Sequence, residues 1–264
     1  MDFVIGKNRC PFCDSSDAFH FYGEGKGGFC WSCERSILSD DKKVELQIEE
    51  ENEQEEVVTR EKITPEENEK IKARTSTDGK GYRGIKTATN NFFGVRYEYD
   101  EETGEPVKQF VPTTIAGELS GYRTRTFPKD FSHPIGQVGK ECDMVFQFRF
   151  KTHTGTCIIS GGETKALSTY QMIYDNQAAR GKLDYETTAV VCSTLGESGA
   201  HKQVQAQYEF FNQFKKIIVC MDEDEAGQKA VEQIIKVLPK GKAWVMRMRY
   251  KDADDYVKAG KQQE

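Results

Sequence analysis

Four short apolar runs constrain the second half of this chain more than any other feature. They are TCIIS at 156–160, TAVVCS at 188–193, KIIVCM at 216–221 and KAWVMRM at 242–248. Each of the first three is followed by a helix-like segment: ETKALSTYQMIYD, QVQAQYEFFNQF and EAGQKAVEQIIKVL. The last of these sets Ala226, Ala230, Val231, Ile234 and Leu238 at helical spacing. Apolar strands that alternate with helices need crossover connections, and this predicts an α/β fold with a parallel-rich sheet over residues 156–264.

Residues 82–150 read differently. FFGVRYEY, VKQFVPTT, SGYRTRTF and MVFQFRF are strand-like and are separated by turn signals such as Glu102-Thr103-Gly104. Upstream, Thr64-Pro65-Glu66-Glu67 has the form of a helix start, with Thr64 as N-cap, Pro65 at the first position and Glu67 closing a capping box. An α+β subdomain over 63–155 follows from these signals. Residues 40–61 hold ten acids and three bases, a net charge of −7 in a chain whose total is −6, so the remainder stands at +1. With few large apolar groups, the stretch 39–62 cannot bury enough surface to fold alone and reads as an acidic, flexible linker. The near-neutral remainder leaves room for a local basic face.

The first 38 residues carry Cys10-Pro-Phe-Cys13 and Cys30-Trp-Ser-Cys33, a CxxC–x16–CxxC pattern. Four thiolates in two tight pairs suit tetrahedral structural zinc, and a module this small needs a metal in place of a large core. A small antiparallel β zinc ribbon over 1–38 is the expected unit. Aromatic residues interleave there with Lys7, Arg9, Lys26 and Arg35. Stacking faces beside cations suit single-stranded DNA, and Lys26 and Trp31 are the candidate template-reading residues. Many of these aromatics would also serve as the ribbon's own core.

Acids follow three of the apolar runs. Asp222 and Asp224 follow KIIVCM, Asp252 lies in Lys251-Asp252-Ala253-Asp254-Asp255 after KAWVMRM, and Glu163 follows TCIIS and Gly161-Gly162. In an open parallel sheet, sites form at the carboxyl ends of the strands. Oxygen ligands crowded there suit Mg²⁺ or Mn²⁺. Any one cluster reads equally as a helix-start acid favoured by the macrodipole, whereas three together point to a site.

VCMDEDEAGQKA resembles the DxD motif of the Toprim domain, and KDADD resembles the later acidic motif of Toprim primases. With the zinc ribbon, the chain resembles the primase half of the bifunctional primase–helicases of T-odd phages and their Twinkle relatives. The resemblance implies a zinc-binding domain that reads a short template sequence. It also implies a polymerase domain that joins ribonucleoside triphosphates into RNA primers on a single-stranded DNA template. By the same resemblance, Asp222, Asp224 and Asp252 are metal-binding and catalytic acids. Arg123, Arg125 and Lys129 then contact nucleotide and template, and Gly196 lies in a loop (STLGESGAHK) beside the active site. A replicative ring helicase, fused or separate, and a DNA polymerase are the implied partners. The sequence departs from the family at Gly161, where a candidate general base, glutamate, is usual, and at Lys165, where another acid is usual. Glu163 is the remaining candidate for that carboxylate. A Toprim nuclease and a degenerate Toprim adaptor that only binds DNA or a helicase are the alternatives. The chain lacks a GxxxxGK[ST] loop, a signal peptide and any apolar run near the ~20 residues of a membrane span. It is expected in the cytoplasm, as a phage protein in a bacterial host.

Overall fold

The computed structural model describes residues 4–8, 19–22, 28–30, 36–37, 61–127 and 133–247. The chain divides into two units, Met1–Val58 and Thr59–Glu264. In the first, β1 (Val4–Asn8), β2 (Phe19–Tyr22), β3 (Gly28–Cys30) and β4 (Ser36–Ile37) form an antiparallel sheet in sequential order. This is the meander expected of a ribbon.

The second unit opens with α1 (Pro65–Arg74), and its capping box forms as the sequence predicts. The Glu67 amide donates to Thr64 Oγ1 at 3.2 Å, and the Thr64 amide donates to Glu67 Oε2 at 2.9 Å. Next comes α2 (Thr87–Phe93), followed by β5 (Arg96–Tyr99), β6 (Pro106–Ile115), β7 (Glu118–Thr126) and β8 (Ile135–Gly136), an antiparallel sheet in that order. Two strand-like readings fail here. Phe92 and Phe93 end α2, because Gly94 takes a left-handed conformation (φ 69°) and stops the helix before β5 begins. In MVFQFRF only Val145 pairs, bridging to Cys192. Phe146 then turns left-handed (φ 72°) into a single 3₁₀ turn over Gln147–Arg149. Its alternating aromatics serve burial from a turn: Phe146 and Phe150 join Phe93 and Tyr170 in one aromatic cluster.

The parallel layer follows, with β9 (Thr156–Ser160), α3 (Glu163–Ala179), β10 (Ala189–Cys192), α4 (Gly196–Ala206), α5 (Tyr208–Asn212), β11 (Lys216–Cys220), α6 (Glu225–Val237) and β12 (Ala243–Val245). The segment read as one helix, QVQAQYEFFNQF, is broken at Gln207, which caps α4 before α5 starts. All pairings are parallel and the strand order is β10-β9-β11-β12. The sheet therefore has the expected α/β form. Its central strand has Cys157, Ile158, Ile159 and Ser160 buried, and a continuous core runs from β10 and β11 to α2 and the 144–150 segment. No helix among the described residues is long and apolar enough to cross a membrane.

The order of strands places the site. From β9 the chain moves out to β10, then returns past β9 to β11. The strand order reverses between β9 and β11, and the crevice at their carboxyl ends is the switch point where ligands bind in such sheets. One close approach holds this edge together. A Cβ on Gly227, in the first turn of α6, would lie 2.2 Å from the Asp222 carbonyl oxygen. Gly227→Ala is expected to cost about 1–3 kcal/mol through this overpacking. Urea unfolding would measure this loss, and parent-like stability of the variant would contradict the overpacking.

Candidate active site

Three connections deliver acids to the switch-point edge. Glu163 is the first residue of α3, Asp222 lies just past β11, and Glu197 is the second residue of α4, after β10. The side chains resolve into two charged groupings. Arg123, on β7, places Nη1 2.5 Å from Glu163 Oε1 and donates from the same nitrogen to the Ser193 carbonyl at 3.2 Å. A shallow pocket beside it is lined by Gln109, Val111, Arg123, Thr124, Arg125 and Glu163. The antiparallel sheet thus brings two of the predicted nucleotide-binding cations to the predicted carboxylate. The ion pair is partly shielded, with side chains 21% and 14% exposed.

The second grouping centres on Lys165. Its ammonium contacts Asp222 Oδ1 and stands 3.7 Å from Glu197 Oε1. Glu197 is the residue that the sequence reading missed. Its loop was read as flanking the site, but the segment is the first turn of a helix. Gly196 opens that helix with φ 70°, and the following carboxylate turns toward Asp222. What fixes this turn is Gln203, which is 1% exposed. Its Oε1 accepts from Ser193 Oγ and the Thr194 amide, both at 2.8 Å. Its Nε2 donates to the carbonyls of Cys142 at 2.9 Å and Asp143 at 3.1 Å. All four hydrogen-bonding positions of the amide are used, so the loop before Glu197 has one arrangement. An acid directly after Leu195-Gly196 is the one local signal in the sequence.

Asp224 takes a different role from its neighbour. It is the N-cap of α6, with Oδ1 accepting from the Gly227 amide at 2.9 Å. Asp252 and Lys129 lie outside the described residues, as do Lys26, Trp31, Cys10, Cys13 and Cys33. Of the four cysteines, Cys30 is described, buried at the end of β3.

Two observations show that this edge suits a cation. Glu197 Oε1 is buried and has no hydrogen-bond partner among the described residues. Gly161, at the end of β9, has no side chain where a Cβ would lie 2.0 Å from that oxygen and 3.5 Å from Asp222 Oδ1. Two carboxylates therefore face one small volume, and an ammonium already answers them. Among the described residues no group of three or more His, Cys, Asp or Glu side chains is arranged to enclose a metal. Mg²⁺ does not require such a cage, since it binds through one or two carboxylates and keeps waters and substrate phosphates for the rest.

Comparisons with known proteins bear on the fold that carries this edge. Residues 159–257 match the Toprim-like family. The primase fragment of the bacteriophage T7 primase-helicase superposes over 98% of this chain and 96% of its own length, with a TM-score of 0.62 at 24% identity. The primase of Aquifex aeolicus, comprising its zinc-binding and RNA polymerase domains, superposes over 97% of this chain and 76% of its own, with a TM-score of 0.50 at 15% identity. A third similar structure holds bacteriophage T7 primase domains with the lagging-strand DNA polymerase, an RNA/DNA hybrid and dTTP. It covers 69% of this chain and 85% of that one, with a TM-score of 0.58 at 27% identity. In sequence, 66 residues (25% of the chain) are 47% identical to a DNA helicase/primase of Enterobacteria phage T3, and they span 12% of that relative's length.

Burial raises the Glu197 carboxyl above its ordinary value of 4.5, and the Asp222 charge raises it further, against the pull of Lys165. A carboxyl raised on folding gives stability that is fully present below the unfolded value and is lost as pH rises through the folded one. Glu197→Gln removes that loss. The variant is therefore expected to melt above the parent chain at pH 8, by a margin that shrinks toward pH 5. Equal melting of the two proteins across this range would contradict the burial argument.

Proposed function

We propose that this chain is a DNA-dependent RNA primase, making short RNA primers on single-stranded DNA. The observation that carries the reading is the delivery of Asp222 and Glu163 to the same β9/β11 switch-point edge, with Glu163 paired to Arg123 beside a pocket that Arg125 also lines. Carboxylates for a divalent ion and guanidinium groups for triphosphate oxygens are thus supplied at one edge of the sheet.

In primer synthesis a 3′-hydroxyl oxygen bonds to the α-phosphorus of the next ribonucleotide. The bond to pyrophosphate breaks and the hydroxyl proton leaves. Bound Mg²⁺ or Mn²⁺ supplies neutralisation of the leaving charge and eases loss of that proton. Asp222 and Asp224, with Asp252, are the acids assigned to hold the ion. Asp224 does so while it caps α6, where the helix N-terminus also favours anionic phosphate. Glu163 is assigned as general base or further ion ligand. The Arg123 contact fixes its position in either role. Arg125 and Lys129 join Arg123 in gripping triphosphate and template, with arginine suited to a bidentate hold. Gly196 lets the α4 start lie close to phosphate.

In the N-terminal unit, Cys10, Cys13, Cys30 and Cys33 are assigned to one structural zinc. Lys26 and Trp31 are assigned to template contact. The boundaries 1–38, 39–62, 63–155 and 156–264 describe ribbon, linker and the two halves of the polymerase domain. The linker keeps the ribbon at high effective concentration near the template strand, and its acids discourage its own binding to DNA. A ring helicase and a DNA polymerase are the expected partners in the replicating cell.

Two residues favour a second reading, in which the domain binds DNA or a helicase without catalysis: Gly161 and Lys165 stand where the resemblance expects acids. One assay separates the two. Random-sequence single-stranded DNA with labelled ribonucleotides and Mg²⁺ or Mn²⁺ should yield short template-dependent RNA, and Asp222→Ala should abolish it. DNA binding with no product under either metal would establish the adaptor, and cleavage of DNA without nucleotides would establish a nuclease. Elemental analysis should give one zinc per chain. Cys30→Ser is expected to release it and to unfold the ribbon, since binding energy at such sites is folding energy.

A further inference from the structure

The carboxylate of Glu197 occupies the space that a side chain at position 161 would fill. The ideal Cβ of residue 161 falls 2.0 Å from Glu197 Oε1, well inside any permitted contact. Residue 161 lies at the carboxyl end of β9, and a side chain there would require the Glu197 carboxylate to move from its present position. The two positions are 36 residues apart in sequence and belong to different connections, so their fit is a property of the fold alone.

Glu197 sits in this space at an energetic cost. Its side chain is 20% exposed, and one oxygen lacks a hydrogen-bond partner among the described residues. A buried polar atom left in that condition is destabilising. Among the described residues, the Lys165 ammonium stands 3.7 Å from that oxygen and makes its closer contact with Asp222. The oxygen shares a small volume with the Asp222 carboxylate, and two acids so placed suit an incoming cation.

We infer that Glu197 binds the divalent ion of the active site together with Asp222, supplying from α4 the carboxylate that β9 lacks at Gly161. The pair is a compensated relocation. Gly161 gives the room, Glu197 fills it, and the acid reaches the same volume from the neighbouring connection. The catalytic edge is then complete in carboxylates although its first strand ends in glycine. Lys165 holds the two acids in place as a resident counter-ion and must yield its position when the ion binds. This inference rests on the metal-dependent reading above, and its test separates the two.

The test uses four forms of the full chain: the parent, Glu197→Gln, Gly161→Glu and the double variant Gly161→Glu/Glu197→Ala. Mn²⁺ affinity is read by electron paramagnetic resonance and by the melting shift on adding Mn²⁺, with primer synthesis measured alongside. Glu197→Gln keeps shape and removes charge, so it reports on the ion without disturbing the fold. It is expected to lower Mn²⁺ affinity about 10- to 100-fold, the range seen when a group supporting a metal site is lost. Gly161→Glu alone is expected to lose stability and affinity through collision with Glu197. Its combination with Glu197→Ala should restore both, because the acid now comes from β9. Parent-like Mn²⁺ affinity in Glu197→Gln overturns the inference. So does a folded double variant that binds no better than Gly161→Glu. Asp222→Ala separates this outcome from failure of the function. If Mn²⁺ binding follows residues 161, 197 and 222 as described but no RNA is made, the ion site stands and the primase reading falls. If RNA synthesis depends on Asp222 while Glu197→Gln binds and primes normally, the primase reading stands and the relocation falls.

Discussion

The pairing of β9 with strands on both sides is the constraint on which the rest of the unit depends. Residues 157–160 pair with 189–192 on one side, and residues 156–160 pair with 216–220 on the other. Ser160 therefore lies in register with both Cys192 and Cys220, and the three strands end together. The acids follow directly. Each strand releases its chain at the same edge within a few residues of the last ladder pair, so Glu163, Glu197 and Asp222 arrive by three routes at one level. A one-residue slip in either ladder would exchange the two buried faces of a strand, misfit its side chains against both layers and shift the acid behind it along the edge. The apolar faces on both sides of the sheet thus protect the geometry of the site as well as the stability of the fold.

How far the sequence discloses this varies with the kind of interaction. The parallel layer is legible because its strands are short apolar runs with acids behind them, and the capping box at Thr64 is legible because it depends on local spacing. FFGVRYEY and MVFQFRF mislead for a shared reason. Aromatic residues bury themselves equally well from a helix end or a turn as from a strand, and Gly94 and the left-handed Phe146 decide the matter locally. Asp222 is legible from its motif. Glu197 is not, because its importance comes from a space at the end of another strand. No pattern within 193–202 shows that Gly161 leaves that space, or that Gln203 locks the preceding loop from beneath.

The resemblance to primases and the physical reading support each other at different places. Departures from the family at 161 and 165 would suggest a damaged site if position along the chain were the only guide. In three dimensions the departures are adjacent, Lys165 touching Asp222 and reaching toward Glu197 beside Gly161. The two departures and Glu197 share one small volume, where a helix presents an acid beside the strand end that lacks one and Lys165 answers the acids. Isolated losses would leave an acid or a base without an answering charge, and burial makes that costly.

The charge at this edge gives the arrangement its physical sense. Among the described residues, Glu163 pairs with Arg123, while Glu197 and Asp222 share the single ammonium of Lys165, an excess of negative charge when both are ionised. Without an ion, repulsion between Glu197 and Asp222 and the cost of burial favour protonation of Glu197, and Lys165 absorbs part of the remaining field. A divalent cation at this edge would offset that excess, with Glu197 and Asp222 as the acids that would hold it. An acid at position 165 would remove the ammonium and add a further negative charge to the same volume, and burial makes such an unanswered charge costly.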